Sequence, residues 1–307
     1  MKSLNRKFQT KSPRFGVSDM EGYINKLNRY LPVEFDDQEN SEYRRYMINT
    51  FIENCNHEKY QFALMAFHML FMTFLYTEFW QLKTFSYNKV ERLCRNQRCF
   101  DEINNVFDSS MIPEKDFIQH TLRNLGMHPN IANKPKQFVD TRDDCAHASG
   151  IIQYDDIATK RYFEEVLEYA ERIAQANKDN ILFIFNEKFS EYFNSVSFDT
   201  TITVDFMKLK ISELKLSCRD LEYILTQSEP EYIAHQKNKQ LAYYFVMVLL
   251  QDMYYSSSSE EVHIDISESY YIDKTIDSIN SLTEEEFTVM QIQIEDEYYF
   301  LKDNVSE

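Results

Sequence analysis

The residues best suited to chemistry lie in the segment FVDTRDDCAHASG at 138–150, where Arg142 precedes His147 with four residues between them. An imidazole can accept or donate a proton near neutral pH, and a guanidinium can bind two oxygens of a phosphate group at once. Asp143 precedes His147 by four positions, so on a helix its carboxylate would share a face with the imidazole and orient it. A proton-transfer group beside an anion clamp suits phosphodiester cleavage without a metal ion.

Other common kinds of catalytic site lack their sequence patterns. His57-Glu58 is followed by Gln61 where a zinc-protease helix would have its second histidine. The chain has only 4 Gly and contains no glycine-rich phosphate loop and no nucleophile elbow. Its five cysteines form no CxxC pair, so we expect reduced thiols in a cytoplasmic protein, with neither a metal site nor a cofactor.

The Arg142–His147 pattern resembles the ribonuclease motif of the HEPN superfamily (higher eukaryotes and prokaryotes nucleotide-binding domains). In that motif an arginine, usually followed by a polar residue, is separated from a histidine by four to six residues. The resemblance covers about residues 40–177 and implies an up-and-down helical bundle in which Arg142 and His147 are catalytic. It implies a metal-independent endoribonuclease that cleaves RNA through the RNA's own 2′-OH, acting as a toxin or antiphage defence effector in a prokaryotic cytoplasm.

The same resemblance implies partners for the protein besides its RNA substrate. HEPN sites are composites of two motifs across a two-fold axis, so we expect a homodimer, and an antitoxin or defence-system protein as a further partner. Ser149 stands where some members have a tyrosine, a departure that argues against control by nucleotidylation of that position. The alternative interpretation is a non-catalytic HEPN-like helical module that binds RNA or another protein.

Several other residues are candidates for supporting roles. His68 lies in an apolar stretch and is either a hydrogen-bonded core histidine or part of the active groove. A second pair with the same spacing, Arg123 and His128, ranks lower because Gly126 would end the helix between them. The basic residues that either contact RNA or form solvated surface are Lys134, Lys136, Lys160 and Arg161 near the motif and Arg92, Arg95 and Arg98 before it.

Helices are expected to position these residues. A chain with 4 Gly, 6 Pro, 24 Phe and 21 Tyr is typical of a mainly α protein with an aromatic core. Residues 60–80 are apolar nearly all round, which favours the central helix of a bundle over a membrane span, and no membrane association is expected. The patterns predict helices at 41–55 (with Ser41 as its cap), 60–80, 113–125, 138–149 and 155–176.

The composition and the HEPN resemblance divide the sequence into three regions. They are a basic N-terminal extension (1–39), the HEPN-like bundle (40–177) and an acidic C-terminal region (178–307). The last region is predicted to be largely helical, with a strong helix at about 230–255. Alternating patterns compatible with short strands occur at 197–206, 261–266 and 287–295.

The acidity of the protein is concentrated at its C-terminus. The formal net charge is −17, of which −13 belongs to residues 251–307, where 2 Lys+Arg face 15 Asp+Glu. The body is therefore close to neutral, and its charge does not exclude RNA binding. The tail either restrains RNA binding by repulsion or is a solubilising surface.

Overall fold

The computed structural model describes residues 17–33, 38–85, 103–146, 154–195 and 200–227, together with positions 246, 247, 250, 251 and 254. Helices account for 87% of the described residues and no strand occurs among them, which confirms a mainly α protein. The helices are α1 (Val17–Asn28), α2 (Gln38–Asn56), α3 (Tyr60–Phe85), α4 (Glu114–Asn124), α5 (Asn133–Ala146), α6 (Asp156–Ser195), α7 (Thr200–Leu214) and α8 (Cys218–Gln227). Short 3₁₀ helices lie at Val106–Met111 and Pro129–Ala132.

Helix α3 is the central element of the bundle. Every residue from Phe71 to Phe79 is buried, and helices α1, α2, α4, α5 and α6 all contact it. The stretch Tyr60–Thr84 is long and apolar enough to cross a membrane, but 83% of its most apolar window is buried inside the protein. Most of its apolar surface thus faces the rest of the protein, as the sequence predicts, whereas Phe62 and Met69 are exposed.

Aromatic rings fill the space around α3. Phe51, Phe67 and Phe163 form a triangle with ring centroids 4.4–5.5 Å apart, within the range of attractive ring contacts. Phe71 and Phe138 meet edge to face at 5.8 Å, which fixes α5 against α3. All five side chains are buried, so the helix that carries Arg142 is anchored in the core.

Proline and glycine mark the ends of α4 as predicted. Pro113 directly precedes Glu114, at a position where its missing N–H deprives the helix of no hydrogen bond. Gly126 has a φ of +72° just beyond the helix, a left-handed conformation that favours glycine. Helix α5 begins at Asn133, five residues before the predicted start, with Pro135 accommodated in its first turn.

Two local predictions are wrong. Helix α2 begins before Ser41, which therefore lies inside it, and the acidic residue in its first turn is Glu39, favourable at a helix N-terminus. The segment 197–206 is not a strand, because α7 starts within it. Farther along the same helix, Met207, Ile211 and Leu214 are buried at helical spacing.

The predicted domain boundary at 178 falls inside one continuous helix, α6. The buried apolar residues still divide near it, with one cluster reaching Ala174 and another starting at Ile181. Helix α1 belongs to the first cluster through Met20, Ile24 and Leu27, so residues 17–28 pack with the bundle despite their assignment to an extension. The predicted strands at 261–266 and 287–295 and most of the helix at 230–255 lie outside the described residues.

Candidate functional site

The candidate site forms where the end of α5 meets the start of α4. These helices run antiparallel, since Glu114 at the start of α4 pairs with Arg142 near the end of α5, and Gln119 farther along α4 accepts a hydrogen bond from Lys136 near the start of α5. Helix α3 and the first turns of α6 close the site from the inside. Four helices therefore contribute to it.

Two carboxylates hold the Arg142 guanidinium. Its Nη2 lies 2.5 Å from Oε2 of Glu114, and its Nη1 lies 3.0 Å from Oδ1 of Asp143. The Arg142 side chain is 28% exposed. Partial burial opposes the charged form, but the hydrogen bond that Arg142 donates to Glu114 and the nearby carboxylates raise the pKa of Arg142 above its ordinary value. The guanidinium is thus fixed in orientation, charged, and partly open to solvent.

His68 joins this ion pair from the core. It is fully buried, with Nε2 3.1 Å from Oε2 of Glu114 and Nδ1 3.0 Å from the Tyr162 hydroxyl. A carboxylate only accepts hydrogen bonds, so Nε2 of His68 must carry the hydrogen. The structure thereby links Tyr162, His68, Glu114 and Arg142 in one hydrogen-bonded chain. His68 is therefore a hydrogen-bonded core histidine that is linked to Arg142 through Glu114, whereas its place in an active groove stays a prediction.

This chain stabilises the ionised form of Glu114. Burial alone would raise the pKa of Glu114, but hydrogen bonds from His68 and Arg142 and the nearby positive charge lower it to about 2. Burial acts in the expected direction on the neighbouring phenols, raising the pKa of Tyr162 well above its ordinary value. Tyr162 therefore remains a neutral phenol throughout the physiological range.

The predicted partner of Arg142 falls outside the described residues. Helix α5 is described to Ala146, and His147 follows it. Asp143, which we expected to orient His147, has its carboxylate on the Arg142 guanidinium. The Arg142–His147 pairing and the role of Asp143 toward the imidazole stay predictions.

Cys145 and Ala146, the small residues described at the end of α5, differ in burial. Cys145 is buried, and its carbonyl oxygen accepts a 2.7 Å hydrogen bond from the Gln61 side chain of α3. Burial raises the pKa of the Cys145 thiol to about 11, so it is not a thiolate nucleophile. Ala146 is exposed. Of these two residues, Ala146 is therefore the one that is open to solvent.

Two of the four predicted RNA-binding residues near the motif share one carboxylate as their ion-pair partner. Nζ of Lys134 lies 2.7 Å from Oε2 of Glu165, and Nε of Arg161 lies 3.2 Å from Oε1 of the same residue. Lys134 also lies over the Phe138 ring, 5.8 Å from its centroid. Arg161 is 79% exposed, which fits the solvated-surface interpretation of this residue.

The other two predicted RNA-binding residues line surface pockets. Lys160 borders an open depression with Lys26 and Glu164, whereas Lys136 borders a smaller pocket together with Arg123 and His128. The second arginine–histidine pair of the sequence is therefore gathered in one pocket, even though the helix between its members ends as predicted. The row at Arg92, Arg95 and Arg98 lies outside the described residues.

Sequence reasoning missed Glu114 and Tyr162. Glu114 could have been noticed because it directly follows Pro113, at the start of a predicted helix. An acidic residue in a first helical turn is, however, usually explained by the helix dipole alone. Tyr162 gave no signal apart from its type. No group of three His, Cys, Asp or Glu side chains within the described ranges is arranged to hold a metal ion.

Comparisons with known protein families, with curated proteins and with solved structures found no match to this chain.

Proposed function

We propose that the protein is a metal-independent endoribonuclease of the HEPN type. The supporting observation is a charged and partly exposed Arg142, oriented by Glu114 and Asp143 at the end of the helix that leads to His147. An arginine whose rotamer is fixed before substrate arrives is suited to stabilise charge that develops in a transition state. A role as a toxin or antiphage defence effector in a prokaryotic cytoplasm, with an antitoxin or defence-system partner, follows from the HEPN resemblance.

The reaction uses the nucleophile that RNA supplies. His147 takes the proton of a 2′-OH, and the oxygen attacks the adjacent phosphorus while the bond to the 5′ oxygen of the next nucleotide breaks. That leaving oxygen receives a proton from the equivalent histidine of a second copy, and the products end in a 2′,3′-cyclic phosphate and a 5′-OH. Arg142 has five N–H donors, so hydrogens not used by its two carboxylates remain for the non-bridging oxygens.

The charge of the site favours a second candidate, a non-catalytic HEPN-like module that binds RNA or protein. Glu114 and Asp143 place two negative charges beside the single positive charge of Arg142, which weakens attraction for a phosphate. In this case the hydrogen-bonded chain from Tyr162 to Arg142 serves to hold helices α3, α4, α5 and α6 together.

A cleavage assay in EDTA separates the two candidates. Full-length protein is incubated with 5′-labelled RNA and with DNA of the same sequence. We expect cleavage of the RNA alone, with 2′,3′-cyclic phosphate ends. His147→Ala and Arg142→Ala should each lower the rate on the order of 10²–10⁴-fold, the usual effect of losing one proton-transfer or electrostatic group.

Matched controls remove the same residue types elsewhere. His57→Ala replaces an exposed histidine just after α2, and Arg172→Ala replaces an exposed arginine of α6 paired with Glu168. Both should cleave like the wild type. Arg142→Ala also removes an ion-pair partner of Glu114 and can therefore lower the stability of the protein. All variants are for this reason assayed well below their melting temperatures. Equal cleavage by His147→Ala and wild type would refute the site, and loss of activity in EDTA would indicate a metal nuclease.

A further inference from the structure

A second cluster of basic side chains lies at the other end of the α4–α5 pair from Arg142. Arg123 belongs to the last turn of α4, His128 precedes the second 3₁₀ helix, and Lys136 belongs to the first turn of α5. All three line one surface pocket of about 190 Å³. Arg123 follows Glu114 by nine residues of α4, so the pocket is about 14 Å along the helix from the Arg142 ion pair. The pocket is thus a separate site.

The positive charges of this pocket are not balanced by carboxylates. Arg123 forms no ion pair with any residue that the structure describes, and Lys136 donates to Gln119, a neutral amide. None of the ten residues that line the pocket is acidic. Lys134 and Arg161 near the motif differ in this respect, because they share Glu165. An anion entering the pocket would meet cations that have no competing carboxylate partner there.

The imidazole of His128 adds a neutral donor to the pocket. Its Nδ1 accepts a 3.3 Å hydrogen bond from the backbone N–H of Asn130, so in the neutral ring the hydrogen is on Nε2. The free Nε2–H is a donor even without protonation. The remaining polar lining groups are amides, which can donate as well as accept: Gln119, Asn130 and Asn133.

We propose that this pocket binds a phosphate group of an RNA backbone and anchors the substrate apart from the cleavage site. A phosphate oxygen only accepts hydrogen bonds, and Arg123, Lys136 and Nε2 of His128 supply only donors. Naming RNA as the ligand rests on the proposed function. The presence of a phosphate site rests on the pocket's own charges and donors.

Binding is measured by fluorescence anisotropy of a labelled 2′-O-methyl RNA oligonucleotide, which lacks the nucleophilic hydroxyl and is not cut by the proposed mechanism. The double variant Arg123→Gln/Lys136→Gln should bind on the order of 10²-fold more weakly, since each lost charge-assisted hydrogen bond weakens binding about tenfold. The slope of log affinity against log salt should become shallower by about one to two. The matched control, Arg172→Gln/Lys188→Gln, removes two positive charges that are already paired with carboxylates, and should bind like the wild type.

The outcomes separate this inference from the proposed function. Three results would overturn the anchor site. They are equal binding by the Arg123/Lys136 double variant and the wild type, equal losses of affinity in both double variants, and no RNA binding by the wild type. Inorganic phosphate and a 5′-mononucleotide are tested as competitors, and a mononucleotide that binds more tightly than the oligonucleotide would overturn the backbone assignment. With cleavable RNA, we expect the double variant to need more RNA for half-saturation but to keep the wild-type rate at saturation. RNA bound through the pocket but never cleaved would refute the nuclease alone.

Discussion

Replacing Glu114 by glutamine tests whether an ionised carboxylate holds His68 and Arg142 together. Glutamine keeps the shape of the side chain and still accepts a hydrogen bond, but it has no charge. In the native protein the Glu114 side chain is 24% exposed, within 3.1 Å of Nε2 of His68 and 2.5 Å of Nη2 of Arg142. The substitution therefore removes the negative charge from a mostly buried network and leaves its geometry available.

The expected loss follows from the pKa of Glu114. Hydrogen bonds from His68 and Arg142 outweigh burial and lower this pKa from an ordinary value of 4.5 to about 2. Since each tenfold change in acid strength is worth about 1.4 kcal/mol, the ionised carboxylate contributes up to about 3 kcal/mol to the free energy of unfolding at neutral pH. A pKa lowered by folding gives stability that is complete above about pH 5 and lost as the pH falls toward 2.

Urea unfolding followed by circular dichroism measures this effect at pH 7 and pH 3. Glu114→Gln should be less stable than wild type by about 2–3 kcal/mol at pH 7, and the gap should narrow by about 2 kcal/mol at pH 3. Glu168→Gln is the control, because Glu168 is 55% exposed and paired with Arg172 on the surface. It should cost less than about 1 kcal/mol at either pH. A gap for Glu114→Gln that is the same at both pH values would refute the role of the charge.

Three further predictions concern the core, the assembly and the tail. Phe163→Ala should lower the free energy of unfolding by about 3–5 kcal/mol, because a fully buried ring is lost from the aromatic triangle, and urea titration measures it. Light scattering should give about 74 kDa, twice the 36.9 kDa of one chain, and a monomer would contradict the composite site. Deleting residues 260–307 should raise RNA affinity at low salt if the acidic tail repels RNA, and unchanged affinity in a variant with native helical content would leave a solubilising role.

Local signals allowed much of the bundle to be predicted. Pro113 and Gly126 delimit α4 because one lacks an N–H that a first turn does not use and the other adopts a left-handed conformation. The all-round apolar character of 60–80 predicted the central helix, since such a surface must be covered on every side. These features depend on residues close together in the chain.

The hydrogen-bonded chain of the site could not be predicted in the same way. His68 and Glu114 are 46 residues apart in sequence, and their contact depends on how α3 and α4 are rotated against each other. Sequence spacing reports the face on which a residue lies within its own helix, not which face of another helix it meets. The start of α7 shows a related limit. Its alternating residues suggested a strand, but the segment from Thr200 onward is the first part of a helix that also carries the buried Met207, Ile211 and Leu214.

The charges at the Arg142 site and in the Arg123/Lys136 pocket suggest different roles, cleavage at the first and RNA binding at the second. Arg142 is held by Glu114 and Asp143, so its surroundings are well ordered but attract phosphate weakly. Arg123 and Lys136 have no carboxylate in their pocket and therefore attract a phosphate more strongly. If RNA is drawn to the pocket and positioned for His147, changes at Arg123 should alter the concentration dependence of cleavage, and changes at Arg142 should alter its maximal rate. Equal effects on both parameters at both sites would mean that one continuous surface binds the RNA.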